Sequence, residues 1–356
     1  FDFTRASSAT RVNKQGLIET VGSGKPRIDF LDNTKGHLLL EPSRSNKYPY
    51  SNQKVSGGLE TFTAGTSSIT VTNNYATSPD GSQNAMRMVA TCGSTSSDRT
   101  GLRDALSMSA ANATLSFYAK SNTSSSQTIS VHFNGTNKQT ITLTTKWRRF
   151  TYTLTSATTN NAGVEIRGGS TDTSVDVLLF GFQMEQGSYP TSYIPTEGSS
   201  VTRVAETANG AGNSTVFNDS EGVLYAEIAA LSNDGTTRRV SISDGSTSDR
   251  LVLSYSSTSN QIQSFLANPS VQFNFYHTLS NSVDFNKIAI KYKQNDFALW
   301  VNGVEVATDT SGTLAVGLNT LNFDEGSGAS DFYGKAKDVR VYNTALTDTE
   351  LQNLTS

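Results

Sequence analysis

The sequence predicts an all-β protein of two tandem β-sandwich modules preceded by a short β-rich collar. Three observations carry that expectation. Ser, Thr, Asn and Gly fill much of the chain, while 35% of residues are hydrophobic and 17% charged, a balance suited to many short strands joined by polar turns. Runs such as ATLSFYAKS, QTISVHF and QTITLTTKWRRFTYTLTS alternate apolar and polar residues with a period of two, which places every second side chain on one face of a strand. A length of 356 residues exceeds one ordinary domain and suits two or three.

The first 46 residues read as the collar. Val12, Leu17 and Ile18, then Ile28 and Phe30, then Leu38 to Leu40 mark short strands, separated by Gly16, Gly22 to Gly24 and Gly36. Such a piece is too short for its own core. Its arginines, Arg5, Arg11, Arg27 and Arg44, are expected to pair with Asp2, Glu19, Asp29 and Glu41 rather than to build an anion site. Residues 47–197 form the first sandwich: ATLSFYAKS, QTISVHF, QTITLTTKWRRFTYTLTS, VEIRGG and VDVLLFGFQME alternate, with turns such as Asn134-Gly135 and Gly168-Gly169 between them. Residues 198–209 are a linker. The second sandwich, residues 210–356, contains Asn302-Gly303 between alternating runs, the strongest hairpin signal in the chain. At its end Thr347 and Glu350 have capping-box spacing for a short helix, with Leu346, Leu351 and Leu354 to dock it.

Charge and cysteine content exclude several functions. With 28 basic and 31 acidic residues the formal net charge is −3, and no basic cluster is dense enough to follow a phosphate backbone, so no nucleic acid partner is expected. No apolar run approaches the roughly 18 to 20 residues that cross a bilayer, and FDFTRASSAT lacks the form of a signal peptide. A soluble chain without membrane insertion is expected. Residue 1 is Phe, which suggests a processed product or a fragment of something longer. The single Cys92 excludes an internal disulfide framework or a Cys-based zinc cluster and reads as a small packing residue.

Four stretches carry family resemblances. The N-terminal FDFTRASSAT, GLIET, PRIDF and GHLLLEPSRSN resemble a stretch found ahead of similar modules in bacteriophage structural proteins. GFQMEQGSYPTSYIPTEG resembles a junction in phage tail-fibre and appendage proteins, where a carbohydrate-binding-module-like jelly roll ends. The order TLSFYAK, WRRFTYT, DVLLFGFQME resembles the jelly-roll modules attached to polysaccharide-degrading enzymes. ALWVNGVEV followed by FYGKAKDVRVYNTALTDTEL resembles the laminin-G or concanavalin A-like lectin superfamily, whose members are two-sheet jelly rolls. Lys337 and Asp338 stand where that pattern usually has an acidic pair, so a metal role there is not expected.

Catalysis is not expected. Glycoside hydrolysis needs two carboxylates flanking the scissile bond, and the E-x-D-x-E run of concanavalin A-like hydrolases does not occur. His37, His132 and His277 are scattered over the three segments, with no nucleophile, metalloprotease or phosphate-loop motif beside them. No cofactor is required. Calcium is an option because related lectin-like folds bind it; Asp244, Asp249, Asp324 and Glu325 are the candidate ligands, with a turn-forming role as the alternative. For binding, alternation puts Phe297, Leu299 and Val301 on one face of a strand and Ala298 with Trp300 on the other. An outward Trp300 beside Lys291 and Lys293 could stack on a sugar, or could be covered by another subunit or module. Trp147 is a second candidate, read as core or as a sugar platform.

The resemblances imply a non-enzymatic virion component at the particle surface: a tail fibre, tail tip or capsid appendage attaching to host-surface polysaccharide. Its partners would be other virion proteins and copies of itself in a homo-oligomer, a trimer being one form. Two alternatives stay open, a purely structural virion protein and the accessory carbohydrate-binding region of a secreted polysaccharide-degrading enzyme.

Overall fold

The structure, a computed structural model, describes residues 1–109, 111–134, 136–157 and 160–356. Apart from one short helix, Asp348–Thr355, its regular elements are β-strands. Two compact units divide the chain: residues 1–6, 22–42 and 205–356 make one, and residues 7–21 and 43–204 the other. The first 46 residues therefore contribute to both units instead of packing as one block.

The unit that includes residues 205–356 is a sandwich of two antiparallel sheets. One has seven strands, in the order Val304–Asp309, Phe297–Val301, Asn286–Lys293, Glu221–Ala230, Gly334–Tyr342, His37–Leu40 and Arg27–Asp29. The other has five, in the order Ser270–Thr278, Gln261–Asn268, Arg250–Tyr255, Arg238–Ser243 and Thr320–Asn322. Alternation decides what lies between them. Leu224, Ala226, Ile228, Ile288, Ile290 and Leu299 of the first sheet pack in one core with Val240, Ile242, Leu251, Leu253, Ile262, Leu266 and Phe273 of the second. Asn302 and Gly303 both adopt positive φ, 48° and 84°, as the tight hairpin between Phe297–Val301 and Val304–Asp309 requires.

The other unit is also a sandwich, of two five-stranded antiparallel sheets. Their orders are Thr136–Leu143, Gln127–Phe133, Asn160–Arg167, Arg99–Leu106, Glu60–Ala64 and Arg148–Ala157, Ala111–Ser121, Ser174–Gln186, Ala85–Cys92, Ser67–Ala76. The stretch QTITLTTKWRRFTYTLTS supplies two strands on different sheets, and of the expected Asn134-Gly135 turn Gly135 lies outside the described residues. Leu115, Phe117, Val131, Val164, Val177 and Phe182 fill the core. On the outside of the second sheet, Ile18 from the hairpin Ala9–Val12 with Ile18–Val21 packs on Phe180 and Tyr193.

The last two strands at one edge of the seven-stranded sheet, His37–Leu40 and Arg27–Asp29, come from the N-terminal residues, and a buried ionic cluster fixes them. Glu206 Oε1 accepts from Arg5 Nη1 at 2.6 Å and Arg27 Nε at 2.8 Å, while Oε2 accepts from the Glu41 amide at 2.9 Å and from Arg27 Nη2. Arg27 Nη2 also lies 2.8 Å from Glu41 Oε2. The side chains of Arg5, Arg27 and Glu206 have no exposed surface. Two of the expected pairs form, Arg11 with Glu19 and Arg27 with Glu41; Arg5 instead pairs with a carboxylate 201 residues away. Removing one partner from such a cluster strands the others as buried charges. Glu206→Ala is therefore expected to destabilise this unit by about 3–5 kcal/mol, read from the shift of its urea transition. A loss below about 1 kcal/mol would contradict an obligatory cluster.

Candidate functional site

The outer face of the five-stranded sheet in the unit of residues 205–356 gathers the most ligand-like set of side chains. Its strands alternate, so the residues that do not enter the core form rows across the sheet, and Arg250 stands in one of them between Ser243 and Ala267. Register sets Arg239 opposite Ser254, Ser254 opposite Gln263, and Gln263 opposite Tyr276. The neighbouring row runs Ser241, Val252, Phe265, Asn274.

At one end of the rows Tyr276 is 52% exposed, and its ring is held from behind. Gln263 Nε2 donates to Tyr276 Oη and to Asn274 Oδ1, each at 2.9 Å, and Asn274 Nδ2 donates to Tyr276 Oη at 3.3 Å. On the adjacent strand, opposite Asn274, Phe265 is buried beside two guanidinium groups, with Arg250 Cζ 5.2 Å and Arg239 Cζ 5.9 Å from its centroid. Glu325 stands beside both arginines. Its Oε2 accepts from Arg239 Nη1 and lies 3.9 Å from Arg250 Nη1, which donates to the Glu325 carbonyl at 2.8 Å. The loop bearing Glu325 can approach because residue 326 is Gly, with φ of 104° and only 2.7 Å between an added Cβ and the Ser246 carbonyl. Burial, opposed by Glu325 and reinforced by Arg239, holds the Arg250 pKa below its ordinary value. None of the five strands, RRVSIS, RLVLSY, QIQSFLAN, SVQFNFYHT and TLN, contains Asp or Glu.

The residues singled out from sequence lie elsewhere. Trp300 does point away from the core, together with Ala298, but it is 7% exposed beneath the chain's own C-terminal helix, packed with Tyr225, Leu351 and Leu354. It is not an open platform. Thr347 caps that helix, and Glu350 completes the capping box. Lys291 is likewise 7% exposed, its Nζ 2.6 Å from Asp296 Oδ1 and 3.8 Å from Asp348 Oδ1. Lys293 pairs with Glu221 at 3.3 Å. Trp147, in the other unit, is half-buried beside the Ile18 cluster; Lys120 Nζ lies 5.3 Å from its ring, and its Nε1 donates to the Thr77 carbonyl.

The four candidate metal ligands do not converge, and among the described residues no three His, Cys, Asp or Glu side chains form a metal-holding group. Asp244 Oδ1 accepts from the Ser246 amide, Asp249 Oδ1 from the Val316 amide, and Asp324 Oδ1 from the Gly326 amide. Glu325 is engaged with the arginines. The histidines are apart as well. His132 Nδ1 is 2.8 Å from Glu165 Oε2, both side chains fully buried, and the Arg167 Nε donates to the same carboxylate at 2.6 Å. His277 is partly exposed on the strand Ser270–Thr278, and burial lowers its pKa.

The sequence reading missed Arg239, Arg250, Phe265 and Tyr276. The signal was present in RRVSIS, DRLVLSYS, QIQSFLA and VQFNFYH, where arginine and aromatic residues occupy the alternate, non-core positions.

Residues 207–352 match the family described as the concanavalin A-like lectin/glucanases superfamily. No curated protein sequence matches the chain. Solved structures similar to part of it include the CBM40 domain of Ruminococcus gnavus IT-sialidase bound to α2,3-sialyllactose, 19% identical with a TM-score of 0.35 over 42% of this chain and 94% of that one. Domain 4 of AbnA, a GH43 extracellular arabinanase from Geobacillus stearothermophilus in complex with arabinotriose, is 12% identical with a TM-score of 0.34 over 48% and 83%. The CBM22-1 xylan-binding domain of Paenibacillus barcinonensis Xyn10C is 14% identical with a TM-score of 0.28 over 41% and 94%.

Two expectations follow from these placements. Trp300→Ala removes a large buried side chain and is expected to cost about 3–5 kcal/mol of stability, measured by urea unfolding; a near-neutral effect would contradict the covering helix. His37 is 3% exposed with no hydrogen-bond partner on either ring nitrogen, and burial followed by Lys335 and Lys337 pushes its pKa down to about 4. Its unfolded value is about 6.5, so between the two the unfolded chain binds the extra proton. Stability is therefore fully present above about pH 6.5 and falls toward pH 4, by up to roughly 1.4 kcal/mol per unit. Unfolding curves over that window should be steeper in pH for the parent chain than for His37→Gln; parallel curves would refute the assignment.

Proposed function

We propose that the protein binds glycans without catalysing their cleavage, through the outer face that carries Tyr276. The observation that carries this reading is Tyr276 itself: a half-exposed aromatic ring, fixed by two amide side chains on a sheet row of polar residues. Aromatic faces stack on the apolar faces of sugar rings, and flanking amides pair with hydroxyl groups. Holding the ring in place beforehand lowers the entropy lost on binding. The lectin/glucanase superfamily match over residues 207–352 supports the same reading.

Absence of catalysis is part of the proposal. Hydrolysis of a glycosidic bond uses a pair of carboxylates about 5–10 Å apart. The five strands of this sheet contribute no carboxylate, and Glu325 at its margin is committed to Arg239.

The fuller proposal places this binding on a bacteriophage appendage attaching to host-surface polysaccharide, as a homo-oligomer with other virion proteins as neighbours. It is supported by the N-terminal FDFTRASSAT to GHLLLEPSRSN stretch and by GFQMEQGSYPTSYIPTEG. Weak single sites suit an oligomer, because a second contact forms at high effective concentration.

A screen of the whole chain against bacterial surface polysaccharides is expected to give binding. Tyr276→Ala should weaken it by about 2 kcal/mol, roughly thirtyfold in Kd, while Trp300→Ala, at a temperature where it stays folded, should retain it. An oligomeric sample that binds no glycan would replace this reading with a structural virion role for the exposed aromatics.

A further inference from the structure

We propose that the glycan carries an anionic substituent, a carboxylate or a sulfate, received by Arg239 and Arg250. This rests on the glycan-binding reading and names the class of sugar. Both arginines project from adjacent strands onto the face that bears Tyr276, and they flank a single aromatic ring, Phe265.

Two cations there share one carboxylate, Glu325, which leaves the group with an uncompensated positive charge. The Nε of each arginine is buried without a hydrogen-bond partner. Each guanidinium donates to Glu325 through Nη1 and so keeps donor capacity for a planar or tetrahedral oxyanion, to which charge-assisted hydrogen bonds are about twice as strong as neutral ones. Arg239 and Tyr276 end the same cross-strand row, three strand spacings or roughly 14 Å apart at the backbone. Both guanidinium groups reach back to Phe265, on the strand next to that of Tyr276, so the ligand that fits both is an acidic sugar or short oligosaccharide lying across the strands, with its ring on Tyr276 and its acidic group at the arginines. Ser254 and Gln263 lie along the row between them.

The alternative use of the arginines is purely internal: they would cover Phe265 and fix the Glu325 loop. That role predicts no discrimination between charged and neutral sugars.

The test measures binding of three oligosaccharides of one backbone, neutral, uronate-containing and sulfated, to the whole chain and to Arg250→Gln, Arg239→Gln and Tyr276→Ala, with folding checked by thermal unfolding. A preference of about tenfold or more for a charged sugar is expected, shrinking at high salt. Either arginine variant should erase that preference while changing neutral-sugar affinity less than about twofold. The uronate and sulfate arms identify which anion is used. Equal binding of neutral and charged sugars, or a preference that survives in both arginine variants, would overturn the inference while leaving glycan binding intact if Tyr276→Ala still weakens it. Failure of every sugar to bind the parent chain would remove the glycan reading and this inference with it.

Discussion

Glu206 is the constraint on which the C-terminal sandwich depends. Its carboxylate is enclosed with two guanidinium groups, and each of those comes from a different N-terminal segment: Arg5 follows the strand Asp2–Thr4, and Arg27 begins the strand Arg27–Asp29. Charges taken out of water at this depth are tolerable only in mutual contact. Glu206 is satisfied with Arg27–Asp29 and His37–Leu40 added to the edge of the seven-stranded sheet and the Glu41 amide and carboxylate closing the cluster. A hydrophobic substitute could fill the volume, yet it would not dictate which distant segments meet. The cluster therefore acts more on specificity of pairing than on net stability.

That arrangement also explains what could be read in the sequence and what could not. Alternation located the strands because it is local: Phe297 to Val301 was divided correctly into core and outward faces, Asn302-Gly303 marked the hairpin, and Thr347 with Glu350 marked the capped helix. Alternation says nothing about what lies over an outward face. Trp300 is outward and still buried, because the helix that covers it comes from residues about fifty positions later. The N-terminal strands were visible as short apolar runs, while their partners were not, since pairing of His37–Leu40 with Gly334–Tyr342 spans most of the chain. Glu206 sat in a stretch read as a linker, where a single acidic residue carries no local signal.

The candidate site was hidden for a related reason. Arg239, Arg250, Phe265 and Tyr276 occupy four consecutive strands of the sheet, and only register brings them onto three neighbouring rows. Each alone is an ordinary outward residue of a strand. Trp300 drew attention because a lone tryptophan is conspicuous, whereas the side chains that form a surface were ordinary in type and unusual only in placement.

The composition of that surface bears on what kind of work it suits. The outward rows of this face offer serines, amides, aromatic rings and arginines, groups that hydrogen-bond and stack. Tyr276 is held by Gln263 and Asn274, and the arginines are packed on Phe265 and tied to Glu325. Strand register, fixed in turn by the alternating core beneath, sets the spacing between the Tyr276 ring and the paired arginines, and it is this spacing that a ligand can be matched to.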